Sequence, residues 1–292
     1  MTFSRDVILQ ALASGLMIGG VFALISIGLT LIWGVMKIIN FAQGEFLMIG
    51  LYLTYFLVTW GHIPVYLTMV FTAPLLFLIG TGIFRVTIRP ILSDPAMNQI
   101  MLTLGLSLIL QNLALWWFKA DVLRIQTATQ TITIAIGPVV LSLAEIIAFV
   151  GSVIATIVLY IYLQRTDMGR SIRAASQNPK AATLMGIDVR LTYLLAFGIG
   201  SATLGVASAL LLPTYYTSPT VGLFLGLIMF VVVVLGGMGN VLGAMIGGLI
   251  IGLTENVGAA ILPGSLSRVF TFGIFILVLI FKPQGILSRR RS

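Results

Sequence analysis

Long apolar runs separated by short polar breaks make up almost the whole chain. The runs cover 7–36, 46–60, 65–84, 97–118, 139–163, 191–212, 222–235, 241–262 and 269–281. Most reach the roughly 20 residues a helix needs to cross a hydrocarbon core. They are continuous, whereas a β-barrel repeats segments of about ten residues with alternating polarity. The pattern therefore predicts an all-α polytopic membrane protein with about eight or nine transmembrane helices. Two runs, 46–60 and 222–235, are short. The first follows the polar break Lys37-Ile38-Ile39-Asn40-Phe41-Ala42-Gln43-Gly44-Glu45, and the second runs into Gly236-Gly237-Met238-Gly239-Asn240. Such paired breaks predict two related halves with discontinuous or short helices near 37–60 and 222–252, lining a translocation path. Two ordinary tight turns are the plainer alternative.

Composition sharpens the class. The 292 residues are 59% hydrophobic and 8% charged, with mean hydropathy +1.13. A soluble domain carries roughly 25% charged residues, so this chain cannot cover a water-facing surface and must face lipid. Its net charge of +8 lies in short loops beside apolar runs, where it sets orientation; nucleic acid is not implied. The loop 164–190 holds Arg165, Arg170, Arg173, Lys180 and Arg190, five of the 16 basic residues. The loop 85–96 holds Arg85 and Arg89, and the tail holds Lys282, Arg289, Arg290 and Arg291. These three segments are expected on the cytoplasmic side, and the Thr/Gln-rich segment 119–138 outside. The first run exceeds the apolar region of a signal peptide and reads as a permanent span.

Chemistry is sparse. Cysteine is absent, which removes disulfides, thiol nucleophiles and iron–sulfur ligation. The single His62 sits in the turn Trp60-Gly61-His62-Ile63-Pro64, so no metal site is predicted. No Ser/His/Asp set or His/Glu cluster supports an intramembrane enzyme. Gly239, Gly243 and Gly247 form a small-residue row, as do Gly15, Gly19 and Gly20, and such rows let helix backbones approach closely in lipid.

The loop 164–190 contains a helix with start and stop signals. Asn178 is a good N-cap, Pro179 suits the first position, and Gly186 can take the left-handed conformation that ends a helix. The predicted element is 179–185, with Ala181, Leu184 and Met185 as its apolar face beside Lys180 and Ala182. So short a helix is marginal alone and needs a groove, its own or a partner's.

The stretch Ala174-Ala175-Ser176-Gln177-Asn178-Pro179-Lys180-Ala181-Ala182-Thr183-Leu184-Met185-Gly186-Ile187 resembles the cytoplasmic coupling loop of branched-chain amino acid ABC-importer permeases, the LivH-like family. Asn40-Phe41-Ala42-Gln43-Gly44-Glu45-Phe46 and Leu235-Gly236-Gly237-Met238-Gly239-Asn240-Val241-Leu242-Gly243-Ala244 fit the same family, and the resemblance covers essentially the whole chain. It implies a single transmembrane permease domain, 1–292, in a bacterial inner membrane. It also implies partners: a second related permease, two ABC ATPase subunits that bind the ATP, and a periplasmic solute-binding protein. The helix 179–185 would dock in a cleft of the ATPase. No G-x-x-x-x-G-K-[ST] occurs here, so the chain has no P-loop; no cofactor is expected on it and it is not expected to be an enzyme.

Candidate path residues are Asn40, Gln43, Glu45, Gly237 and Asn240. Asn40 and Gln43 each donate and accept hydrogen bonds. Glu45 either binds an ammonium or simply meets the dipole of the helix it begins, and Lys37 either pairs with it or snorkels. Glu145 and Glu255 read as interfacial carboxylates, and nothing in the sequence places them together. Tyr215 and Tyr216 suit an interfacial aromatic belt. A permease fed by a binding protein is expected to hold its solute in a weak, mostly apolar cavity. An ion-coupled carrier is the competing class, but it often places acidic residues at mid-membrane, and most spans here lack central charge.

Overall fold

A computed structural model of the chain describes residues 5–261, 266–282 and 285–287. The tail residues Arg289, Arg290 and Arg291 lie outside the described residues. Among the described residues, twelve α-helices follow one another. Six are long and apolar enough to cross a membrane: α1 (Arg5–Met36), the composite helix Val65–Ile91, α4 (Ala96–Phe118), α6 (Leu143–Arg165), α9 (Val189–Leu211) and α11 (Val241–Ile261). The composite helix consists of α3 (Met69–Ile83) with short 3₁₀ and π turns at its ends. Shorter helices are α2 (Gln43–Thr59), α10 (Val221–Gly236) and α12 (Leu266–Phe281). The polar connections form α5 (Ala128–Thr131), α7 (Asp167–Gln177) and α8 (Pro179–Leu184).

α1 and α9 form the centre of the bundle. Almost every side chain of α1 from Gly19 to Ile32 is buried, against α11, α9, α6 and α10. α1 and α11 run antiparallel: a Cβ at Gly15 would lie 2.9 Å from Leu253 Cα, and one at Gly19 would lie 2.9 Å from Leu249 Cα. Backbone-to-backbone approach of this kind is how helices associate in lipid, where apolar burial supplies little driving force. α3, α4 and α6 instead turn apolar side chains outward, among them Val70, Met101, Leu108, Trp116 and Ile154.

The loop 164–190 marks one end of the bundle, here the loop face. The opposite, hairpin face carries the strands β1 (Thr133–Ile136) and β2 (Val139–Ser142), antiparallel with Ile136 opposite Val139. Gln10 clamps the hairpin to the start of α1, its side-chain amide bonding the Val140 N–H and C=O at 2.8 Å each. The described parts of all three basic segments come to the loop face. Arg85 and Arg89 end the Val65–Ile91 helix there. The tail returns there too, since the Ile286 N–H donates to Leu235 at the end of α10.

The apolar run 139–163 is thus not one helix: its first four residues are the second strand. Thr133-Ile134-Ala135-Ile136 and Val139-Val140-Leu141 are rich in β-branched residues around a Gly137-Pro138 turn, which favours strand. The helix begins only where Ser142 and Glu145 form a capping box, whose S-x-x-E pattern is a recognised start signal.

Candidate functional site

The polar break after α1 turns back into the bundle. Gln43 Nε2 donates to the Gly200 carbonyl at 3.3 Å, and Gly200 is the central residue of α9. Ser107, the central residue of α4, donates its hydroxyl to Glu45 Oε1 at 3.1 Å. Asn40, Gln43 and Glu45 are each at most 2% exposed, so the segment reaches mid-bundle depth and α2 starts there. Within it, Asn40 Nδ2 donates to Gln43 Oε1 at 3.0 Å, and Asn40 Oδ1 accepts from the Ala42 N–H at 3.1 Å. No described residue donates to Glu45 Oε2. Lys37, with φ 58°, is exposed and makes no ion pair with Glu45.

The second interior helix start is α10. Gly44 of α2 packs on Gly222 and Gly226 of α10 so closely that a Cβ at Gly44 would sit 2.9 Å from Gly226 Cα. A Cβ at Gly222 would run into the Glu45 carboxylate. Two short helices therefore meet N-terminus to N-terminus inside the bundle. The irregular segment opposite the 37–42 break is 213–220, not the Gly236–Asn240 stretch. The latter is a tight turn at the loop face. Gly237 and Gly239 take φ of 99° and 87°, values that only glycine adopts freely, and Asn240 Oδ1 caps α11 by accepting from the Gly243 N–H at 3.1 Å.

Gly237 and Asn240 do share a cavity, but not with Asn40, Gln43 or Glu45. A cavity of about 630 Å³ opens at the loop face between α1, α6, α7 and α11, and includes Thr30, Gln164, Arg173, Gly237 and Asn240 in its wall. Toward the hairpin face a separate cavity of about 300 Å³ lies between α1, α6 and α11. Beside it α1 packs closely on α6: a Cβ at Gly20 would lie 2.5 Å from the Phe149 ring. Glu145 and Glu255 both line the 300 Å³ cavity, with Asn256, Ser14 and Thr214. Sequence reasoning missed this meeting, because the carboxylates lie on α6 and α11, far apart in the chain. A further groove of about 940 Å³, between α1, α3, α6 and α9, is almost wholly apolar and suits acyl chains rather than a polar solute.

On the loop face, α7 buries Ile172 and Ala175 against the bundle and pairs Arg170 with Asp167 on its exposed side. α8 follows. Asn178 Oδ1 accepts from the Ala181 N–H at 3.1 Å, Pro179 is its first residue, and Gly186 leaves it with φ 83°. Ala182 is buried, whereas Leu184 and Met185 are 87% and 82% exposed. His62 is exposed in its turn, and no group of three metal-ligating side chains occurs among the described residues.

The family model for the branched-chain amino acid transport system, permease component, matches residues 11–279. The chain belongs to this family. It is 33% identical to the high-affinity branched-chain amino acid transport system permease protein BraD of Pseudomonas aeruginosa, over 96% of both chains. It is 32% identical to LivH, the protein of the same description in Escherichia coli, again over 96% of both. A probable branched-chain amino acid transport permease protein LivH of Methanocaldococcus jannaschii is 27% identical over 94% of this chain and 91% of its own. No solved structure matches the chain. This permease is accordingly a multi-pass membrane protein that serves transport and is not itself an enzyme.

Proposed function

We propose that this permease is the membrane-spanning subunit of an ATP-driven importer for branched-chain or other hydrophobic amino acids. It works as one transmembrane domain. A binding protein on the outer side delivers the solute, a second related permease completes the pathway, and two ATPase subunits bind the ATP. The loop face lies in the cytoplasm, as the basic residues of 85–96 and 164–190 favour, and the hairpin face lies outside. Asn40, Gln43, Glu45, Gly237 and Asn240 serve the path.

The observation that carries this reading is α8. Its capped first turn and exposed Leu184 and Met185 make a short rigid lever, and a lever seated in a cleft moves when the cleft closes. The test is transport by Leu184→Asp and Met185→Asp variants in the assembled importer. Either charge should stop uptake while the chain still inserts and co-purifies with its partner permease. Uptake unchanged in both would remove α8 from the coupling.

A further inference from the structure

We propose that the crevice between α1, α6 and α11 holds, near the hairpin face, a receiving site for a zwitterionic amino acid. The inference rests on the importer reading above and adds a ligand site to it. Two cavities adjoin there. The 300 Å³ chamber is lined by Glu145 of α6 and Glu255 and Asn256 of α11. A second, of about 640 Å³, opens at the hairpin face and includes Arg124. Glu145, Thr214 and Tyr215 line both, so the two share one wall.

The charges lining the two cavities are complementary to a zwitterion. Glu145 and Glu255 offer carboxylates to an ammonium group, and charge-assisted hydrogen bonds of this kind are the strong ones. Arg124, which lies 5.6 Å over the Tyr216 ring, offers a guanidinium to a carboxylate. Glu145 keeps one oxygen, Oε2, on the Ser142 N–H and hydroxyl, which fixes the position of the other. Ile18, Val21, Phe22 and Ala148 give the inner chamber an apolar side, which suits an aliphatic side chain, while Ser14 and Thr214 add polar contacts. The volumes fall within the range of about 300–1,000 Å³ typical of small-molecule sites.

Because the chain has no cysteine, a single thiol reports on the chamber. Ala259 lines it and is exposed. In the assembled importer with its binding protein, Ala259→Cys is labelled with a charged, membrane-impermeant thiol reagent, and the adduct is read by mass on this chain. Leucine should slow labelling, and 4-methylpentanoate, which lacks the ammonium, should not. Glu255→Gln and Glu145→Gln should each raise the protecting concentration about tenfold or more; glutamine at 145 preserves the capping box. Uptake and membrane insertion are measured on every variant. Labelling indifferent to leucine in an assembly that imports it, or protection unchanged in both glutamine variants, overturns the inference alone. An assembly that imports no amino acid overturns the importer reading and the inference with it.

Discussion

Gly44, Gly222 and Glu45 show how much one side chain decides in this bundle. The contact of α2 with α10 exists only because both helices present glycine, and the Glu45 carboxylate fills the space a Cβ at Gly222 would take. Gly222→Val should therefore separate the helices at a cost of about 1–3 kcal/mol, as overpacked cores do, and lower the thermal midpoint of the solubilised chain. An unchanged midpoint would mean that the contact is loose. Ser107→Ala removes the donor to buried Glu45 Oε1 and should also lower the midpoint, by the roughly 1–3 kcal/mol of an unsatisfied buried group. If the Glu45 charge serves transport, Glu45→Gln should cut uptake about tenfold, the order of one lost charge-assisted hydrogen bond. A packing role alone would leave uptake near that of the parent chain. The sequence marked Asn40, Gln43 and Glu45 as unusual because polar side chains interrupt an apolar run. It did not show their depth, which depends on Ser107 and Gly200, residues of ordinary appearance in distant helices.

Among elements, the helices whose ends carry their own chemistry were legible, and those whose ends are set by contacts were not. α8 begins at Asn178-Pro179 and stops before Gly186 as local rules dictate, one residue short of the range expected from sequence. Its N-cap supplies a direct test. Asn178→Ala should cost about 1 kcal/mol of helix stability and weaken coupling, seen as less solute-stimulated ATP hydrolysis in the assembled importer. Full stimulation would show that a partner's cleft orders α8 without the cap. The hairpin went unseen because hydrophobicity alone cannot separate a short strand from the first turn of a span, although Gly137-Pro138 and the Ser142/Glu145 box were both present to mark it. The interior start of α10 also escaped notice. Nothing in Pro213–Thr220 is more polar than an ordinary loop, and its depth follows from the glycine contact with α2.

For the whole molecule, the class was written in composition, and the grouping of basic segments at one face in their spacing. Arg85, Arg89, the 164–190 cluster and the returning tail gather at one face, opposite Lys119 and Arg124, as their spacing between apolar runs required. Which helices stand at the centre was less plain. α1 is about as hydrophobic as α6 and α9 is less so, and they are central because glycine and small residues let neighbours close on them. The deciding measurement is leucine uptake into proteoliposomes holding this chain with its partner permease and ATPase subunits, fed by loaded binding protein. The importer reading predicts uptake that needs ATP and persists without any ion gradient. Uptake by this chain alone, driven by a proton or sodium gradient and indifferent to ATP, would contradict it.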